Sequence, residues 1–273
     1  MDTRIDFQTA KKFDQIELIE KKTDYGQVKL YVRKGLNEVK YNVGQNFTKR
    51  ANSGEYIAPF VSKKIGNPLN INEVLNQDDV WLDIGGHLGF FAIRMLKQFP
   101  KVRKVVSYEA LPHNVSFEIE NVKLNGMEAQ CEVVQKAIVP NDSPTISFFI
   151  SNDSGKHSIL PVKGRENITV PAININDAIK QSGATAIKMD VEGAEYHLIK
   201  AVTDWSNVRV VVVEWHFNSM RTITKDKNYR VALFQEILEI FKQNGFDTIR
   251  TLPNVEYGKN FITHFVALKT SGK

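Results

Sequence analysis

From about residue 76 onward, the chain alternates between two hydrophobic rhythms. Short apolar runs at 80–84, 104–108, 131–138, 185–190, 208–215, 246–251 and 261–268 read as strands. Between them, apolar residues recur at helical spacing over about 88–98, 113–125, 174–182, 193–202 and 228–243. Strands that take turns with helices predict a mostly parallel sheet covered on both faces. The last two strands are separated only by 253–260, so a hairpin there makes the final strand antiparallel. The segment 143–170 breaks the rhythm. Residues 145–150 and 168–173 alternate as strands around a loop rich in turn formers, which predicts a β-hairpin insertion after strand three, near the C-terminal edge of the sheet. The first seventy residues are less regular, with a strand at 27–33 and a short helix at 56–64. We therefore divide the chain into an N-terminal extension, 1–70, and an α/β domain, 71–270. The extension is expected to be a lid, a dimer element or part of an acceptor pocket.

Composition narrows this picture only slightly. A chain of 273 residues with 42% hydrophobic content can bury one sizeable core. Cys131 is the single cysteine, which excludes an internal disulfide or a thiolate metal cluster; it is expected in or beside a strand. Residues 1–10 lack the apolar stretch of a secretory signal, and the longest purely apolar runs, such as 210–213, are far too short to span a bilayer. A soluble, cytoplasmic protein is the expectation. The net charge of +5, concentrated in the first fifty residues, favours anionic partners weakly and decides nothing.

The chemistry begins where strand 80–84 ends, in Asp83-Ile84-Gly85-Gly86-His87-Leu88-Gly89. In an open α/β sheet a ligand sits outside the carboxyl end of such a strand, over the next helix N-terminus. Gly85 and Gly89 allow backbone to approach a ligand where a side chain would collide. Asp83 can accept hydrogen bonds from hydroxyls or an ammonium group. Glu109 closes the second strand, the usual place for a carboxylate that accepts from ribose hydroxyls. The glycine spacing departs from the G-x-G-x-x-G of dinucleotide sites, and its D-x-G-x-x-x-G form is similar to motif I of S-adenosylmethionine (SAM) dependent methyltransferases. A nicotinamide cofactor is the lesser reading.

A second dense group follows in Lys188-Met189-Asp190-Val191-Glu192-Gly193-Ala194-Glu195. By strand alternation Lys188, Asp190 and Glu192 share a side, and Glu195 falls on the first turn of the next helix, where the dipole favours a carboxylate. The fifth strand ends in Glu214-Trp215-His216, with Glu214 and His216 on one side. Asp190, Glu192, Glu214 and His216 would then meet at one edge of the sheet. Such a set suits a general base with orienting partners. It also suits an oxygen-rich site for a divalent metal such as Mg, with Asp190, Glu214 and His216 as ligands.

Together, D-I-G-G-H-L-G-F-F, Y-E-A-L-P, I-K-M-D-V-E-G-A-E and V-V-V-E-W-H, with G-E-Y-I-A-P-F ahead of them, resemble the motifs of FkbM-type SAM-dependent methyltransferases over roughly residues 54–268. The resemblance implies the class I, Rossmann-like seven-stranded sheet with its last strand antiparallel. It also implies methylation of a hydroxyl on a sugar, glycan or related small molecule. It assigns Asp83, Gly85 and Gly89 to the methionine end of SAM, Glu109 to the ribose, and Ala110, Leu111, Lys136 and Ala137 to the adenine surroundings. Asp190 is implied at the sulfonium. The family loop usually reads D-I-G-A-N-x-G; here Gly86 and His87 stand for the Ala and Asn, and His87 can still donate or accept a hydrogen bond. The base is expected to be His216 or Asp190, with Glu192 and Glu214 orienting the acceptor and His157 and Ser158 of the insertion binding it.

Two rival readings differ in kind. A nucleic-acid enzyme acting on exocyclic amines needs an Asn/Asp-Pro-Pro-aromatic tetrapeptide where this chain has Asp190-Val191-Glu192-Gly193. A cytosine-C5 enzyme needs Pro-Cys, but Cys131 follows Gln130. Clustered acids also repel a phosphate backbone, which leaves an RNA ribose 2′-O-methyltransferase as the nucleic-acid alternative. The other rival is a catalytically inactive SAM-fold binding module; it predicts decayed motifs, yet Asp83, Gly85, Gly89, Glu109, Asp190 and Glu192 all stand.

Overall fold

The computed structural model describes residues 6–23, 26–34, 74–152, 156–161, 163–217, 223–251 and 262–270. The helix expected at 56–64 and the G-E-Y-I-A-P-F segment lie outside the described residues.

The central sheet has seven strands: β3 (Asp79–Ile84), β4 (Val102–Glu109), β5 (Cys131–Gln135), β9 (Ala186–Met189), β10 (Val210–His216), β11 (Thr248–Thr251) and β12 (Ile262–Leu268). Their spatial order is β5-β4-β3-β9-β10-β12-β11. The first five pair in parallel, and β12 runs antiparallel to both of its neighbours. The expected α/β sheet with its last strand reversed is what the chain forms. The strand order reverses between β3 and β9, the switch point outside which open sheets bind ligands.

Apolar alternation builds a core on each face. Trp81, Val105, Val210 and Val212 face one side with α2 (Phe90–Gln98) and α3 (Pro112–Leu124). Leu82, Ile84, Val211 and Val213 face the other. There they meet α4 (Ile175–Ser182), α5 (Glu195–Ala201) and α6 (Lys227–Gln243). Trp205, 2% exposed, anchors this second core edge-on to Phe241 and Phe246.

Three local departures from the sequence expectation have physical causes. The strand expected over 131–138 breaks at Lys136, whose N–H turns back to the Val134 carbonyl at 3.0 Å. Beyond that tight turn β6 (Ala137–Val139) leaves the main sheet and pairs in parallel with β8 (Asn167–Asn174). Antiparallel pairing of β8 with β7 (Thr145–Phe149) completes a three-stranded sheet, so the predicted hairpin insertion is present with one added strand. The helix expected from 193 starts at Glu195, because Glu192 (φ 53°) and Gly193 (φ 109°) are left-handed.

The described part of the N-terminal extension consists of α1 (Phe7–Lys12), capped by the Asp6 carboxylate, and the hairpin β1 (Ile16–Thr23)–β2 (Gly26–Arg33). Phe7, Val28, Leu30 and Val32 share one core cluster with Trp81 and Phe91. The edge of β2 is satisfied by asparagines rather than by a strand. Asn121 of α3 accepts from Tyr31 N at 2.6 Å and donates to Tyr31 O at 3.1 Å; Asn125, one turn on, does the same for Lys29 at 3.2 and 2.6 Å. Among the described residues, no helix is long and apolar enough to cross a membrane.

Candidate active site

The glycine loop after β3 is pinned by three backbone hydrogen bonds. Gly85 N and Gly86 N both donate to the Tyr108 carbonyl, at 2.9 and 3.1 Å, and Gly89 N donates to Gly86 O at 2.9 Å. A phosphate cradle would instead present such amides to its anion. Gly85, at φ +91°, leaves no space for a side chain: a Cβ there would lie 2.1 Å from the Asp190 carbonyl oxygen. Glycine at 86 has its own cause, since a Cβ would lie 2.1 Å from Ser107 Oγ and 2.6 Å from Glu118 Oε1. The fully buried Glu118 of α3 accepts from Ser107 Oγ at 2.6 Å, and burial, followed by the nearby Asp83, pushes its carboxyl well above the usual range.

His87 takes a left-handed φ of 52°, a conformation in which Asn and His are over-represented. Its N–H donates to Glu109 Oε2 at 2.9 Å. Burial, then the charges of Arg33, His157 and Lys188, lower the ring to about 3, so it is neutral near pH 7. The other Glu109 oxygen accepts from Leu111 N at 2.8 Å. Glu109 thus sits at the carboxyl end of β4 with both oxygens oriented by backbone donors, and burial shifts its carboxyl upward against those bonds. Beside it, Ala110, Leu111 and Ala137 pack into the core of the insertion sheet, and Lys136 is half-buried at the break between β5 and β6.

Asp83 is fully buried, and its carboxylate turns inward to Lys188 of β9, with Nζ 3.0 Å from Oδ1. The same Nζ donates to the Gly85 carbonyl at 2.7 Å and lies 4.0 Å from Asp190 Oδ2. Asp83 therefore lies beneath the loop, and Lys188 fastens loop, aspartate and strand end together.

The acid–histidine edge forms, with Glu214 and His216 alternating on β10 as expected. β9 ends at Met189, however, and the left-handed turn at Glu192, not strand alternation, brings Asp190 and Glu192 to the edge. His216, 3% exposed, has Nε2 at 3.5 Å from Glu192 Oε2 and 3.4 Å from Glu214 Oε1. The sequence reading missed two partners. Glu195, fully buried, places Oε1 2.9 Å from His216 Nδ1 while accepting from Val191 N at 3.2 Å and Gly193 N at 3.0 Å. His264 of β12 sits opposite Glu214 in the register, with Nε2 2.7 Å from its Oε2. Burial opposes charge on His216, but Glu195, Glu192 and Glu214 outweigh it and hold the ring well above its usual range. Burial also opposes charge on Glu214, yet His216 and His264 keep its carboxyl below the usual range. Loss of solvent, then the charge of Glu214, raises the carboxyl of the partly buried Asp190 to about 7.

His157 and Ser158 arrive from the insertion. Ser158 Oγ donates to the Glu192 carbonyl at 3.1 Å, which docks the insertion on the turn that carries the acids. His157 accepts from Ser151 N at 2.9 Å through Nδ1 and is 7% exposed.

The comparisons with known proteins bear on this geometry. No curated protein matches the sequence. Three solved structures resemble the chain distantly. A Pyrococcus horikoshii protein assigned as a transferase is 14% identical, with a TM-score of 0.46, covering 93% of this chain and 71% of that one. The Methanococcus jannaschii fibrillarin pre-rRNA processing protein is 14% identical, with a TM-score of 0.43 and coverages of 72% and 68%. TrmK of M. capricolum, solved with S-adenosyl-homocysteine, is 10% identical, with a TM-score of 0.41 and coverages of 73% and 66%. These likenesses are too remote to transfer a substrate. The Methyltransferase FkbM domain matches residues 83–248, over half the sequence and including both the glycine loop and the acid–histidine edge, so the chain belongs to the FkbM methyltransferase family.

Proposed function

We propose that this methyltransferase transfers the methyl group of SAM to a hydroxyl of a sugar, glycan or related small molecule. The observation that carries the reading is the contact between the two motifs: Gly85 lies against the Asp190 backbone with no room for a Cβ, so the cofactor loop and the acid–histidine edge meet at one point of the sheet. The residues fit a nucleoside cofactor. Glu109 would offer an oriented carboxylate to the ribose hydroxyls, the neutral His87 and the Gly85–Gly89 turn would hold the methionine end, and the Ala110–Leu111 turn with Lys136 and Ala137 would border the adenine. Asp83 acts at one remove, through Lys188. SAM, when bound, would supply an electrophilic methyl group on a sulfonium, with the sulfur keeping the electron pair of the broken bond. The chain's own part is to hold the acceptor oxygen in line and to take up its proton. In this reading Asp190, its carboxyl raised to about 7, takes up the proton, while Glu192 and Glu214 orient the acceptor and the charged His216 steadies them. Ser158 ties the insertion to the same turn. The crowd of carboxylates favours a neutral polyhydroxyl acceptor over an RNA backbone.

Labelled methyl transfer from SAM into a sugar, glycan and nucleotide-sugar pool, run beside an RNA pool, tests the reading. Label in the sugar pool is the expected result; label confined to RNA would replace the acceptor class, and SAM binding without transfer to either pool would overturn it. Replacing Glu109 with Ala should weaken SAM binding by about 10- to 100-fold, the range for losing hydrogen bonds to a charged group. Unchanged affinity by calorimetry would remove Glu109 from the cofactor site.

A further inference from the structure

We infer that Asp190, Glu192 and His216 form a binding site for one divalent cation of the Mn²⁺/Mg²⁺ class. Each of the three offers a ligand atom, and these atoms lie within 4.8 Å of one another. Acids alone would not make a site; the independent sign is the histidine. His216 is 3% exposed, yet its Nε2 makes no hydrogen bond among the described residues. It points between carboxylate oxygens at 3.4 and 3.5 Å. Those separations are longer than the roughly 2.7–3.2 Å of a hydrogen bond. The separation from Glu192 falls instead within the roughly 3.0–3.5 Å between neighbouring donors that share one ion at about 2.1 Å.

The surrounding groups are arranged as they are around bound metals. A ligating imidazole usually gives its other nitrogen to a carboxylate, and His216 Nδ1 is 2.9 Å from Glu195 Oε1. Glu214, 3.4 Å from Nε2, is steadied from behind by His264 at 2.7 Å. Lys188 is held in the pair with Asp83, which leaves the acids at this edge in excess over nearby cations. Two carboxylates and one imidazole form an oxygen-rich set that suits Mn²⁺ or Mg²⁺ better than thiolate-seeking ions. Glu192 and Asp190 are only partly buried, so the open side of the site faces outward, where the acceptor is proposed to lie. The cation would hold an acceptor oxygen there, and in this the inference rests on the acceptor edge proposed above.

The test is direct binding of Mn²⁺ to the full chain without SAM or acceptor, with free Mn²⁺ read by electron paramagnetic resonance. One saturable site is expected. Glu192→Gln and His216→Ala should each weaken it at least about tenfold, the size of effect seen on losing metal-site groups. Glu132→Gln, on the exposed Lys104–Glu132 pair, should leave it unchanged. Because Glu192 is partly exposed, its variant keeps the test valid if His216→Ala fails to fold. Absence of binding, or binding that survives both site variants, overturns the inference. Label transfer into sugars that persists undiminished in a strong chelator would also overturn it while leaving the methyltransferase reading intact. Mn²⁺ binding without methyl transfer would have the opposite meaning.

Discussion

Gly85→Ala is expected to abolish measurable SAM binding and to lower stability by roughly 2–6 kcal/mol. Two costs combine. The residue sits at φ +91°, where a side chain is strained by roughly 1–3 kcal/mol. The new methyl would also lie 2.1 Å from the Asp190 carbonyl oxygen, a backbone atom at the end of β9 that no rotamer change can move aside. Overpacking of that kind costs about 1–3 kcal/mol, taken up by shifting backbone. Here the shift would separate β3 from β9 at the point where cofactor loop and acid edge meet, so function should fall further than stability. Gly126→Ala is the matched control, since it shares the left-handed φ (+68°) but has nothing within 4 Å of the added Cβ. Calorimetry with SAM and thermal unfolding of both variants would separate strain from collision. A Gly85→Ala protein that binds SAM like the parent would show that the loop does not form the cofactor site.

The second large effect concerns the buried pair beneath that loop. Lys188→Met should destabilise the protein by about 3–5 kcal/mol, because it strands the Asp83 carboxylate in the core. Asp83→Asn should cost less, as Lys188 keeps the Gly85 carbonyl and the nearby Asp190. The double variant, Asp83→Asn with Lys188→Met, should recover most of the stability lost in Lys188→Met, since the buried charge and its counter-charge go together. It should not recover SAM affinity, because the Gly85 carbonyl loses its ammonium donor. Denaturant unfolding of all four proteins gives the coupling energy directly. Additive losses would mean that the pair is not coupled, and full recovery of SAM affinity in the double variant would mean that Lys188 does not hold the loop.

Much of this was legible in the chain because parallel strands buried on both faces announce themselves as apolar runs, and their ends carry the chemistry. The glycine loop, Glu109, the acids after β9 and the Glu214–His216 alternation all fell where the pattern put them. What stayed hidden depends on which strands become neighbours. Asp83 looked available to a ligand because nothing local reveals that β9 lies beside β3 and brings Lys188 to it. Glu195 looked like a helix-start acid, and its hold on His216 needs β10 in place. His264 is a cross-strand partner that only the register of β12 discloses. Asn114, Glu118 and Asn121 carried no expectation, yet they are buried against Arg33, the glycine loop and Tyr31. The break at Lys136 was missed because one tight turn interrupts an otherwise continuous β-forming run.

Asn121 is the residue whose consequence reaches furthest. Its side-chain amide donates to Tyr31 O at 3.1 Å and to the Leu88 carbonyl of the glycine loop at 3.0 Å, while its oxygen receives Tyr31 N. Arg33, on the same strand, shares Asn114 Oδ1 through both terminal nitrogens at 3.2 Å and lies over Phe117, all within one helix. Anyone building chimaeras in this family would therefore place the seam badly by cutting at the apparent boundary near residue 70. The first hairpin and α3 form one packing unit, and a graft that exchanges either without the other would carry a mismatched lining beneath the glycine loop.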